Sequence, residues 1–171
     1  MKLSFKISHP YYLTWLSMIV TVGAVLISNQ WVSAAGAPSS SASQPAAMQT
    51  RRQKANEFFR QAESYQKAER YNDAAAAYEK AVQTDPDYAE AHSNLGFCLR
   101  KQKMFDKAIE SYQRAIAINP KLTQAHEYIG EAYAEMGKFD LAERHLNILK
   151  TLDSNEAAEL EAFIRKAKTK S

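Results

Sequence analysis

The sequence repeats itself every 34 residues, and that period leaves few folds open. When Ala55–Tyr88 is laid over Ala89–Leu122 and over the stretch from Thr123 onward, like residues fall on like offsets. Ala62, Gly96 and Gly130 share one offset, and Tyr65, Leu99 and Tyr133 another. Tyr71, Phe105 and Phe139 align, then Ala74, Ala108 and Ala142, then Tyr78, Tyr112 and Leu146. Pro86 and Pro120 close the first two units. A single globular core has no reason to return the same side-chain sizes at a fixed interval of this length. A stack of supersecondary units does, because each unit buries its apolar face against the next copy.

Each unit carries two helical patterns. In unit two, Ala89–Gln102 and Phe105–Ile118 hold apolar or small side chains at helical spacing, broken near Lys103 and Met104. Asn119 and Pro120 stop the second helix, since proline has no N–H to donate and disfavours helix in the residue before it. Asp87 and Glu90 have the spacing of a capping box opening the first helix, and Asp153 and Glu156 repeat that spacing later. The small offsets (Ala62, Gly96, Gly130, and opposite them Ala74, Ala108, Ala142) mark where paired helices cross most closely. Tyr65, Leu99, Tyr133, Tyr78, Tyr112 and Leu146 are the large knobs that fill the remaining space. Beyond unit three, Ala157, Leu160, Phe163 and Ile164 form the apolar stripe of one more helix, predicted over 155–168, which shields the last face of the array.

These offsets resemble the tetratricopeptide repeat. That family favours a bulky residue at repeat position 4, Leu and Gly at 7 and 8, Tyr at 11, Ala at 20, an aromatic at 24, Ala at 27 and Pro at 32. Unit two supplies Leu95, Gly96, Leu99, Ala108, Tyr112, Ala115 and Pro120. Unit one supplies Phe58, Ala62, Tyr65, Ala74, Tyr78, Ala81 and Pro86, with Gln61 in place of Leu. Unit three supplies Ile129, Gly130, Tyr133 and Ala142, then departs with Leu146, Leu149 and Ser154. The resemblance covers Ala55–Ser154. It implies an all-α fold, a right-handed superhelical array of three helix-turn-helix units (55–88, 89–122 and 123–154, within 51–154), followed by a capping helix and tail over 155–171.

By the same resemblance, the first helix of each pair lines a concave groove that takes a peptide or helix of another protein. The groove positions with the most to offer are Phe59, Arg60 and Lys67 in unit one and Asn94, Phe97, Arg100 and Lys101 in unit two. Unit three adds Glu127, Tyr128, Glu131 and Glu135. Phe59, Phe97 and Tyr128 place one aromatic per unit on that face. The charge is graded, cations before anions, which suits a partner of opposite polarity. The competing reading is that Phe59 and Phe97 pack onto neighbouring helices and the charges form a solvated face. Some family members grip a partner's C-terminal carboxylates, using Lys, Asn and Arg at fixed offsets. Here those offsets hold Phe59, Glu63, Asn94, Gln124 and Tyr128, and only Asn94 matches, so a chaperone-tail clamp is not expected.

Composition narrows the function classes. Lys and Arg number 22 against 19 Asp and Glu, and two of those lysines lie in residues 1–34, leaving the rest of the chain almost neutral. Such balance does not suit a nucleic-acid binder, whose affinity comes largely from neutralising phosphates. The single cysteine, Cys98, can form neither an internal disulfide nor a paired-cysteine zinc site, and reads as a small apolar filler. His92 and His126 recur at one repeat position, about 10 Å or more apart given helix-packing distances, too far to share an ion. No nucleophile–base pair and no glycine-rich phosphate loop is present. The chain therefore reads as a non-enzymatic adaptor or scaffold, with no cofactor and no metal, whose partner is another protein and which is open to self-association.

The N-terminal segment points to export. Lys2 and Lys6 precede an uncharged, mostly apolar run, Leu13–Ile27, and short side chains follow at Val32–Ala35. That order describes a signal peptide over residues 1–34, cleaved after Ala34. The alternative is an uncleaved anchor over residues 11–31, because Tyr11, Tyr12 and Trp15 flank one margin of the run and Trp31 the other. Either way the repeats are expected outside the cytoplasm, periplasmic or secreted, or attached to the membrane as a subunit or assembly factor of an envelope complex. Residues 35–50, small, polar and proline-containing, read as a flexible linker.

Overall fold

A computed structural model of the chain describes residues 43–170. The segment read as signal peptide or anchor, and the first part of the expected linker, lie outside the described residues. Among the described residues there are seven helices and no strand. They are α1 (Ser43–Lys67), α2 (Tyr71–Thr84), α3 (Ala89–Lys101), α4 (Phe105–Ile118), α5 (Thr123–Glu135), α6 (Phe139–Leu152) and α7 (Ser154–Lys168). The helices pair as α1 with α2, α3 with α4 and α5 with α6, and α7 packs against both α5 and α6. Among the described residues, no helix is long and apolar enough to cross a membrane.

The turn inside each unit is built identically, which explains why the period is so strict. Glu69, Lys103 and Gly137 are spaced by the repeat length, and all three have positive φ, at 56°, 62° and 72°. Each follows the end of a first helix and makes a Schellman cap. The next residue's N–H reaches back to the carbonyl of Tyr65, Leu99 or Tyr133, at 2.9, 3.0 and 2.8 Å. The left-handed residue's own N–H bonds Gln66, Arg100 or Ala134, at 2.9, 2.8 and 3.0 Å. Only unit three places glycine at the left-handed position; Glu69 and Lys103 hold it against their Cβ.

The turn between units differs from the expected capping box. Asp87 does not cap α3, whose N-cap is Tyr88 with no side-chain bond. The organising side chains are two residues earlier. Asp85 Oδ1 accepts from the N–H of Asp87 at 3.2 Å, and Asn119 Oδ1 accepts from Lys121 at 3.1 Å, forming short Asx turns around Pro86 and Pro120. Proline cannot donate an N–H, so the chain needs three residues before helix resumes at Ala89. His92 and His126 then tie the turn down from inside the next helix. Each ring Nε2 donates to the carbonyl of the preceding proline, at 3.0 and 3.1 Å. In unit three Ser154 stands where the others have proline, and helix resumes at once. Asp153 becomes a true N-cap, accepting from Asn155 at 2.8 Å and Glu156 at 3.3 Å.

Two apolar clusters make the core. One joins units one and two to α5 through Ala62, Tyr78, Leu95, Leu99, Tyr112 and Ile129. The other joins α6 to α7 through Leu146, Leu149, Leu160 and Ile164. The expected capping helix is thus present and buries Ala157, Leu160 and Ile164 of its predicted stripe, with Phe163 half-buried beside them. Helix α1 overruns the expected linker, starting at Ser43 instead of ending the tether at Thr50. Pro45 falls in the first turn, where no backbone N–H is needed, and Ala46–Gln49 are good helix formers. Residues 46–50 are exposed, so the extension rests on propensity more than packing.

Candidate functional site

Helices α1, α3 and α5 occupy equivalent places in their units, and their groove positions can be followed residue by residue. Phe59 is wedged between two rings. It stacks on Tyr88 with centroids 4.9 Å apart and meets the edge of Tyr78 at 5.4 Å. Phe97 touches Tyr71 at 6.2 Å and Tyr128 at 5.1 Å, while Tyr128 also meets Tyr112 at 6.2 Å. All three aromatics are half-buried and pack on the core cluster. The packing reading thus accounts for much of each ring's surface, and what is left of each remains partly exposed.

An open cleft of about 350 Å³ lies where these helices converge. Glu63, Gln66 and Lys67 of α1 line it, with Tyr71 and Tyr78 of α2, Asn94 and Phe97 of α3, and Gln124 of α5. Lys67, Asn94 and Phe97 were expected at such a site. The repeat pattern makes Tyr78 an interior knob; its hydroxyl also donates to Gln66 Oε1 at 2.9 Å and fixes that amide at the cleft wall. Gln124 Nε2 donates to the Tyr128 hydroxyl at 3.2 Å on the opposite wall. Lys101 is exposed, its ammonium 5.1 Å from the Phe97 ring centre, and Arg60 is exposed on α1.

Arg100 behaves differently from a groove cation. It is only 3 % exposed, and its guanidinium is taken by Glu131 Oε2, at 2.5 Å, and by Glu135 Oε1. Lys103 adds a second cation to Glu135 at 2.8 Å. This network staples α3 to α5. It removes Arg100, Glu131 and Glu135 from the graded charge expected along the groove. Burial pushes the Glu135 carboxyl up, but hydrogen bonds from Lys103 and Arg100 outweigh it and hold the group below the ordinary carboxylate range. Glu131 goes the other way, because burial exceeds the help it draws from Arg100.

Glu127 is the carboxylate left over. Burial, then the neighbouring charges of Glu131, Glu156 and Glu159, push it up to about 7. The remaining segregated charge is Arg60, Lys67 and Lys101 at one end and Glu127 with its acidic neighbours at the other. Cys98 lies beneath the cleft, fully buried, its thiol raised to about 12 by burial, so it is a filler without nucleophilic character. Among the described residues no group of three or more His, Cys, Asp or Glu is arranged to hold a metal ion.

Models of the tetratricopeptide repeat match residues 59–123 and 99–166. No curated protein matches the sequence. Among solved structures, the first such domain of Spaghetti (RPAP3), bound to the HSP90 peptide SRMEEVD, is 25 % identical with a TM-score of 0.64. That match covers 69 % of this chain and 95 % of the other. The TPR2B domain of yeast Sti1, in a complex with pHsp70, is 23 % identical with a TM-score of 0.65, covering 70 % and 99 %. The Arabidopsis OM64 domain is 18 % identical with a TM-score of 0.64, covering 68 % and 98 %. The last two likenesses concern the fold alone.

Proposed function

Because the chain belongs to the tetratricopeptide repeat family, we propose that it is a non-enzymatic adaptor, exported across the membrane, that holds a peptide or helix of another protein along α1, α3 and α5. The observation that carries this reading is the cleft between those helices. Its volume falls within the range of about 300–1,000 Å³ usual for ligand sites, and its wall mixes aromatic faces with oriented amides. Peptide-bound relatives of the same fold support the class of partner. The clamp offsets do not support a chaperone tail as the ligand: Glu63 and Phe59 stand where cations and amides would be needed for a terminal carboxylate, and Glu63 would repel one.

The test is site-specific photo-crosslinking in cells. A photoreactive residue at Lys101 should capture a protein partner, and one at Lys80 on α2 should not. Lys67→Glu should reduce the Lys101 adduct at least fivefold without changing the helical signal. Adducts at Lys80 with none at Lys101 would refute the groove reading. A second reading, an anchored envelope subunit, draws on the aromatic margins of the N-terminal run. Intact mass separates the two: a chain starting near Ala35 is a free adaptor, and a chain retaining Met1 is anchored.

A further inference from the structure

A second cleft, of about 490 Å³, opens at the edge of the terminal unit and shares no lining residue with the cleft between α1, α3 and α5. One wall is the turn between α5 and α6, with Glu135, Gly137 and Phe139; the other is the last part of α7, with Phe163, Lys166, Ala167 and Lys170. Lys103 overhangs it from the turn of unit two. The floor is apolar, because Phe139, Phe163 and Ala134 meet there. The rim is cationic. Lys103, Lys166 and Lys170 face a single carboxylate, Glu135, which Arg100 already shares.

The lysines are not needed to finish helix α7. Its final carbonyls are satisfied by the chain itself: Arg165 by the Thr169 N–H at 3.3 Å, Lys166 by the Thr169 hydroxyl at 2.9 Å, and Ala167 by the Lys170 N–H at 3.1 Å. Nor is Lys166 or Lys170 in any ion pair shown among the described residues, and both are exposed. Like charges gathered over an apolar floor repel one another, and an anion is the species that relieves them. The cleft is concave with cations on opposite walls. A flat lipid surface would meet the rim and leave the floor empty, whereas a peptide can lower one apolar side chain between the walls.

We propose that this edge cleft is a second binding site, and that it takes an acidic peptide segment in which an aromatic or aliphatic side chain sits between carboxylates. The apolar side chain fills the space over Phe139 and Phe163. The flanking carboxylates pair with Lys103 on one side and with Lys166 and Lys170 on the other. This occupant is independent of whatever the groove holds, and the two sites could be filled by one partner or by two.

The experiment is fluorescence anisotropy of the labelled peptide Gly-Gly-Glu-Phe-Glu-Leu-Glu with the full chain. The companion probe carries Gln in place of each Glu. Saturable binding of the first peptide is expected, at least tenfold weaker for the Gln peptide and for the double variant K166E/K170E. The variant K80E/K107E makes the same change of charge on exposed lysines elsewhere and should shift affinity less than twofold. These lysines are all exposed, so circular dichroism should be unchanged. Absence of saturable binding would overturn the proposal. So would equal binding of the Gln peptide, or weakening by K67E/K101E in place of K166E/K170E, which would put the peptide in the groove. Capture by phosphatidylglycerol vesicles with none of the peptide would also overturn it, in favour of a membrane surface.

Discussion

Units two and three have the same helix-turn-helix plan, yet they fill the space at their shared glycine in opposite ways. A Cβ on Gly96 would lie 2.6 Å from Cε1 of Tyr112 and 3.0 Å from the carbonyl of Ala108, both on the partner helix α4. The large aromatic at repeat position 24 closes the unit on itself. In unit three that position is Leu146, and the neighbour that comes within 2.6 Å of a Cβ on Gly130 is Leu160, from α7. The terminal unit is therefore incomplete without the helix that follows it. An inner repeat is closed by its own tyrosine, and an end repeat borrows its closure from the cap.

The largest expected effect follows from that loan. Ending the chain at Ser154 removes Leu160, Ile164 and Ala157, which are almost fully buried, and exposes Leu146 and Leu149. Cooperative unfolding should be lost or the product should aggregate, as read by calorimetry and light scattering. The milder Leu160→Ala should cost about 2–5 kcal/mol by leaving a cavity over Gly130. A truncated chain that melts as sharply and as high as the whole would mean that unit three closes without α7.

Next in size is Arg100, which couples the two units. Arg100→Leu leaves Glu131 and Glu135 facing each other across a partly buried site, with Lys103 on Glu135 and the charge of Lys101 near Glu131 as the cations that remain. The loss should be about 3 kcal/mol in urea unfolding. Adding Glu131→Gln and Glu135→Gln should recover much of it, because the penalty lies in unpaired charge. If the triple variant is no better than the single one, the network's role is packing of the arginine stem.

The glycines sharpen the comparison further. Gly96→Ala meets a ring and a backbone carbonyl, neither of which can retreat, and should cost about 2–3 kcal/mol. Gly130→Ala meets the end of a leucine that can change rotamer, so about 1 kcal/mol or less is expected. Equal losses in thermal melts would show that α7 holds Leu160 as rigidly as α4 holds Tyr112.

Much of this is legible in the sequence alone. The period carried helix boundaries, the close-crossing offsets and the capping helix, because each depends on side-chain size at a fixed rotation about a helix. The departures of Leu146 and Ser154 from the repeat even pointed to α7 as the new neighbour. What escaped depends on contacts between units. Arg100 stands at a groove offset, and nothing local distinguishes it from Lys101 beside it. Its capture is visible only once α3 and α5 are placed side by side, bringing in partners 31 and 35 residues away. Asp87 matched a cap by spacing with Glu90, but the proline before it had already handed the turn to Asp85. The pairing of His126 with His145, across α5 and α6, was likewise absent from the pattern, since His145 has no counterpart at its offset in the other units.

That histidine pair sets the smallest effect, and it again separates unit three from unit two. His126 Nε2 must carry a hydrogen to donate to the Pro120 carbonyl, so its Nδ1 is bare in the neutral ring. His145 Nδ1 lies 3.1 Å away and donates to it, and Tyr133 stacks on the other side of His145. Burial, with His126 adding to it, pushes His145 down to about 4 from 6.5. Between those values the unfolded chain binds a proton that the folded chain refuses, so stability falls as pH drops from 6.5 toward 4. Glu127 acts in the reverse sense. Its folded value of about 7 lies above the ordinary 4.5, the folded chain binds the extra proton, and stability falls as pH rises through that window. The two slopes oppose each other over most of the same range and should leave wild-type stability nearly flat there. Each is worth about 1–2 kcal/mol after allowing for solvent at a half-buried site. Glu127→Gln should therefore uncover a loss on acidification, and His145→Gln a loss on going from pH 4.5 to 7, both read from urea midpoints. His92, in unit two, is lowered by burial as well but has no second imidazole, and it donates to Pro86 alone. By the same linkage its replacement with Gln should remove a smaller loss on acidification, and a change of slope as large as that of His145→Gln would mean that the coupling belongs to the repeat position and not to the terminal unit.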